Sequence, residues 1–157
     1  MKAANQRVKE ALETIGIDFE IQILDKAVRT AKLAAEALGC EVGQIANSLI
    51  FRDRDREQAV LIMCAGDRRV DLQKVAELTE IAVGKADADF VREQTGFAIG
   101  GVPPVAHSKP LRCLLDASLR RYDTVWAAAG IPESVFSMTP DDLQRMTGGD
   151  WLELTER

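Results

Sequence analysis

The chain has 157 residues, of which 46% are hydrophobic and 29% charged, and its formal net charge is −5. This length suits a single domain, residues 1–157, with a real hydrophobic core, and the acidic balance excludes nucleic-acid binding by bulk electrostatics. No apolar run approaches the ~18 residues of a membrane span, and MKAANQRVKEALETIG has no continuous apolar stretch of signal-peptide type and reads as an amphipathic helix, so no membrane association and a cytoplasmic location are expected.

Val8, Leu12 and Ile15 share one helical face, and Gly16 ends that helix. FEIQIL (19–24) alternates as a strand does. Thr30 is placed to cap AKLAAEALG, which stops at Gly39. QIANSLIF (44–51) and AVLIMCA (59–65) read as a hairpin around the polar tip RDRDREQ. Asp71 and Asp87 cap helices through LQKVAELT and ADFVREQ, the second ending near Gly96. LRCLLD (111–116), TVWAAA, SVFSM and WLEL (151–154) read as strands. Thr139, Pro140 and Asp142 start a last helix that Gly148 ends. Strands and helices mix without βαβ alternation, which predicts an α+β fold: a twisted, mixed, largely antiparallel sheet flanked by helices.

The chemistry is sparse. Cys40, Cys64 and Cys113 form no CxxC and pair with no histidine, so no metal site and no disulfide framework are expected, and the thiols read as buried and inert. There is no G-x-S-x-G, P-loop or dinucleotide fingerprint. What stands out is GFAIGGVPPVAHSKP (96–110), with three glycines, three prolines and the only histidine, His107. Gly100 and Gly101 admit close approach of a ligand, while Pro103 and Pro104 fix the backbone and remove two donors. Such a loop can aim its remaining N–H groups at a carbonyl as an oxyanion hole; it can equally be a rigid crossing between a helix and a strand. Asn47, amid Ile45, Leu49 and Ile50, points to the face opposite Ala46 and Ser48. It either satisfies nearby backbone or lines a pocket. Thr30, Asp71 and Asp116 have capping as their ordinary role. Arg52, Arg54, Arg56, Arg68 and Arg69 gather around the hairpin, interleaved with acids.

Taken in order, RTAKLAAEALGC, QIANSLIF, AVLIMCAGDRRVDLQKVA, TGFAIGGVPPVAH, LRCLLDASL, WAAAG and SMTPDDL resemble the YbaK/prolyl-tRNA editing-domain family over roughly residues 25 to 155. The family's Gly-x-x-x-Pro loop falls on Gly100 to Pro104. The resemblance implies a trans-editing aminoacyl-tRNA deacylase without a cofactor. Its substrate would be mischarged tRNA, tRNA-Pro bearing a small wrong amino acid, and its partners the tRNA acceptor end and a prolyl-tRNA synthetase. On this resemblance Gly100, Gly101 and Asn47 are the catalytic candidates. Thr30, Ser48, Val102, Pro103, Pro104, His107 and Asp116 border the substrate, and Arg52, Arg54, Arg68 and Arg69 contact tRNA phosphates. Two departures matter. Many family members carry a lysine where this chain has Asn47, and some carry a histidine after the WAAAG-like stretch, where this chain reads GIPESVF with Glu133 near that place. A module that binds aminoacyl-tRNA or a small ligand without turnover is the rival reading. A DNA-binding regulator is the weakest, because no helix-turn-helix pattern or basic helix is visible.

Overall fold

The computed structural model describes residues 2–28 and 30–156; Arg29, which opens RTAKLAAEALGC, lies outside them. Its five helices are α1 (Ala3–Ile15), α2 (Ala31–Leu38), α3 (Leu72–Thr79), α4 (Ala88–Thr95) and α5 (Pro140–Thr147). The expected caps form. Thr30 accepts the Leu33 N–H, Asp71 those of Gln73 and Lys74, Asp87 that of Phe90 and Thr139 that of Asp142. Each removes orphan donors from a first helical turn.

The strands are β1 (Ile21–Ile23), β2 (Ala46–Asp53), β3 (Gln58–Ala65), β4 (Val83–Lys85), β5 (Arg112–Asp116), β6 (Val125–Ala128), β7 (Ser134–Met138) and β8 (Asp150–Leu152). They form two sheets rather than one: β1-β7-β6, and β4-β2-β3-β5-β8. The first is antiparallel; in the second, β3–β5 and β5–β8 are parallel. Among the described residues one isolated parallel bridge, Ile45 to Trp126, links the two sheets, and their inner side chains share one core. The division into two sheets is a long-range pairing event, which strand periodicity does not encode. β4 also escapes the sequence reading, since three residues are too few for an alternation to register.

β3 is the centre of the core. Its side chains after Gln58 are all buried, because both faces are covered. Leu61 and Met63 meet Val8, Leu12, Phe136 and Leu143 on one side, and Val60 and Ile62 meet Val75 and Ile81 on the other. This explains why AVLIMCA is a continuous apolar run instead of an alternating one.

One polar side chain ties α1 to the place where the sheets part. Asn5 is fully buried. Its amide nitrogen donates to the Ala129 carbonyl at 2.7 Å and the Ser134 hydroxyl at 2.9 Å, while its oxygen accepts the Lys2 N–H at 3.2 Å. Asn5 thereby fixes both ends of the β6–β7 turn. Asn5→Ala takes the donor from the buried Ala129 carbonyl, while the Ser134 hydroxyl keeps Ile131, and is expected to lower the unfolding free energy by about 1–3 kcal/mol. Denaturant titration checks this: the midpoint should fall at unchanged slope, and an unmoved midpoint contradicts the assigned role.

Candidate active-site cleft

A cleft of about 280 Å³ opens where β2 and β6 diverge beyond the Ile45–Trp126 bridge. Its walls are apolar: Val28; Ala31 and Ala34 of α2; Trp126 and Val135 from the first sheet; and Pro132. No charged side chain is among its described lining residues. Asn47, Ser48 and Thr30 are the residues with polar side chains on its lining. Strand alternation places Asn47 on the α2 face with Ile45, which packs on Ala34 and Ala35. Ser48 lies on the opposite face, its hydroxyl 3.3 Å from the Met63 sulfur. The Thr30 hydroxyl is occupied by its cap. The half-buried Asn47 amide has no hydrogen-bond partner among the described residues, so it stays available to whatever fills the cleft.

The glycine loop forms the other rim. The Gly101 N–H donates to the Ala98 carbonyl at 3.0 Å, and Gly100 has φ +90°. This is a turn with glycine at the position that needs positive φ. Gly101 serves as a spacer: a Cβ there would stand 2.8 Å from the Gly130 oxygen and 2.8 Å from the Ile131 Cα. Its N–H being spent, the loop residues on the lining whose amides have no partner among the described residues are Ile99, Gly100 and Val102. Pro103 and Pro104 are buried and set behind the lining, where they stiffen the loop.

Other expected site residues lie elsewhere. His107 lines a separate groove of about 510 Å³ with Pro104, Cys113 and Met146. Its Nε2 is 2.7 Å from the Pro103 carbonyl; that oxygen can only accept, so the ring proton sits on Nε2. Burial holds the His107 pKa below its ordinary value and pushes the Cys113 thiol up to about 11. Neither group is primed for nucleophilic chemistry. Asp116 is buried as a cap, accepting the amides of Ser118 and Leu154 at 3.1 and 2.8 Å. It lines another pocket, of about 270 Å³, with Arg68 and Lys74. The arginines divide between the two ends of the hairpin. Arg52, over the Phe90 ring, and Arg54, donating to the Val83 carbonyl, stand near its tip. Arg68 and Arg69 follow β3 at the other end, beside Gly66, which packs against Ala31 of α2. Eight strand residues, roughly 25 Å, separate the groups.

Trp126, Val28 and Pro132 carry no local sequence signal of a site residue. Each reaches the cleft through long-range contacts, such as the Val28 N–H on the Pro132 carbonyl at 3.1 Å, and neither spacing nor periodicity announces these.

The chain is similar to several known proteins. A family model described as the aminoacyl-tRNA editing domain matches residues 25–146. The uncharacterized protein YwhH of Bacillus subtilis (strain 168) is 36% identical over 126 residues, 80% of each chain. A proline–tRNA ligase of Thermosipho africanus (strain TCF52B) is 32% identical over 94 residues, 59% of this chain and 16% of the ligase. The crystal structure of a candidate trans-editing enzyme for prolyl tRNA synthetase is 43% identical, covers 100% of this chain and 99% of its own, and superposes with TM-score 0.93.

Burial of His107 couples folding to pH. Its pKa is lowered in the fold, so the unfolded chain takes up the proton first. Stability therefore falls as pH drops through 6.5, the ordinary value. His107→Asn is expected to flatten this slope between about pH 7 and pH 5, as read from unfolding midpoints; an equal slope in both proteins contradicts it.

Proposed function

The chain belongs to the aminoacyl-tRNA editing domain family, and we propose that it is a deacylase that hydrolyses the ester of mischarged tRNA, with tRNA-Pro carrying a small wrong amino acid as its substrate. One observation carries this reading: an unpartnered Asn47 amide and the unpartnered backbone amides of Ile99, Gly100 and Val102 belong to the lining of a single apolar cleft. Such a cleft suits a small acyl group whose carbonyl needs donors and whose side chain needs none. The similarity to part of a proline–tRNA ligase supports prolyl-tRNA as the carrier.

In this mechanism water attacks the ester carbonyl. The new carbon–oxygen bond forms, the bond to the terminal ribose oxygen breaks, and the ribose oxygen takes up the proton. The Gly100 and Val102 amides stabilise the oxyanion. Losing one such donor typically costs about 2.7–4 kcal/mol of transition-state stabilisation. Asn47 orients the terminal nucleotide through a neutral hydrogen bond. An ester already has a good leaving group, so orientation and oxyanion stabilisation supply the acceleration without a protein nucleophile. Size selection by apolar walls gives about 1–3 kcal/mol per methylene. Arg68 and Arg69, at the cleft end of the hairpin, meet the phosphates nearest the ester; Arg52 and Arg54 meet the acceptor stem farther out. A prolyl-tRNA synthetase is the matching partner, as the source of the mischarged tRNA.

Binding without turnover is the second reading, favoured by Asn47, which supplies no charge. A deacylation panel of tRNAs charged with alanine, cysteine, serine, threonine, 2-aminobutyrate and proline separates the two. Hydrolysis of a small non-cognate aminoacyl ester is expected. Asn47→Ala should lower kcat/KM about tenfold, the loss of one hydrogen bond, and His107→Ala should leave it within about threefold, since that ring sits in another groove. A wild type inactive across the panel sinks the deacylase reading, and activity gained on Asn47→Lys then establishes the binding module.

A further inference from the structure

Ile99 is 59% exposed, more than any other large apolar side chain among the described residues. It stands on the cleft rim beside Gly100, at the tip of the turn that the Gly101–Ala98 hydrogen bond closes. The turn is held firmly. Arg7 Nη2 donates to the Gly96 carbonyl at 2.8 Å, its guanidinium lies 4.1 Å from the Phe97 ring centroid, and the Thr95 hydroxyl accepts the Phe97 N–H at 3.0 Å. On the far side Gly101 abuts Gly130 and Ile131. A branched apolar side chain is thus presented to solvent on a rigid support, where it adds little to the core.

The direction in which an ester must enter says what covers it. If the acyl group fills the cleft, the alcohol half lies across the rim. In aminoacyl-tRNA that half is the terminal ribose with its base. The ribose offers hydroxyls, whereas the base offers a flat face that packs on apolar surface. We infer that Ile99 is the platform on which the terminal nucleobase of the tRNA rests, a contact that positions the ester without touching the reacting atoms. This rests on the deacylase reading above.

The test compares one acyl group on two chemically acylated dinucleotides, whose terminal ribose carries adenine or no base, for wild type, Ile99→Ser and Ile99→Leu. Ile99→Ser should raise KM about 5- to 10-fold on the adenine-bearing ester, with kcat held within about twofold and no change on the abasic ester. Ile99→Leu should restore KM to within about twofold of wild type. Thermal midpoints should be unchanged, because the side chain is exposed. An unchanged KM on the adenine-bearing ester, or an equal rise on both esters, overturns the platform while leaving the deacylase reading intact. A wild type that hydrolyses neither ester overturns that reading and the platform with it.

Discussion

At Gly101, backbone meets backbone. The absence of a side chain lets this residue press against Gly130 and Ile131 closely enough that a Cβ would stand 2.8 Å from main-chain atoms. The cleft depends on this contact, because it joins the glycine loop to the turn between β6 and β7. The turn is fixed in its place by Asn5 of α1 and by the Val28 N–H on Pro132. Three segments distant in sequence therefore interlock around one opening, and α1 takes part although it lies outside the matched residues 25–146. Interiors packed at this density transmit small displacements, so the donors at the rim are only as well placed as this junction.

The electrostatic character of the cleft follows from what surrounds it. Among the described residues its lining holds no ionised side chain, and amide dipoles are part of its polarity. Fixed dipoles in an apolar setting act on developing charge without the reorganisation that water would require. Burial favours the neutral forms of His107 and Cys113, and both line another groove.

Much of the fold was legible because its signals are local. Thr30, Asp71, Asp87 and Thr139 cap the helices they precede, and the hairpin pairs as its two apolar runs imply. The orientation of Asn47 follows from strand alternation. The glycine–proline loop lies on the cleft, but the division of labour inside it was hidden: Gly101 spaces, while Gly100 and Val102 keep free amides. That distinction depends on Gly130, some thirty positions away. Splitting into two sheets, the isolation of His107 and the separation of the arginines have the same origin. Each is set by which distant strands pair, and pairing partners leave no periodic mark in the chain.

The central claim is that main-chain amides at the cleft rim stabilise the transition state of ester hydrolysis. Replacing Val102 by its α-hydroxy analogue exchanges one N–H for an oxygen and alters nothing else in the side chain. In a single-turnover assay on the most reactive mischarged tRNA, the account predicts a fall in the chemical rate of about a hundredfold, with circular dichroism unchanged. A rate equal to that of the unmodified protein would contradict it.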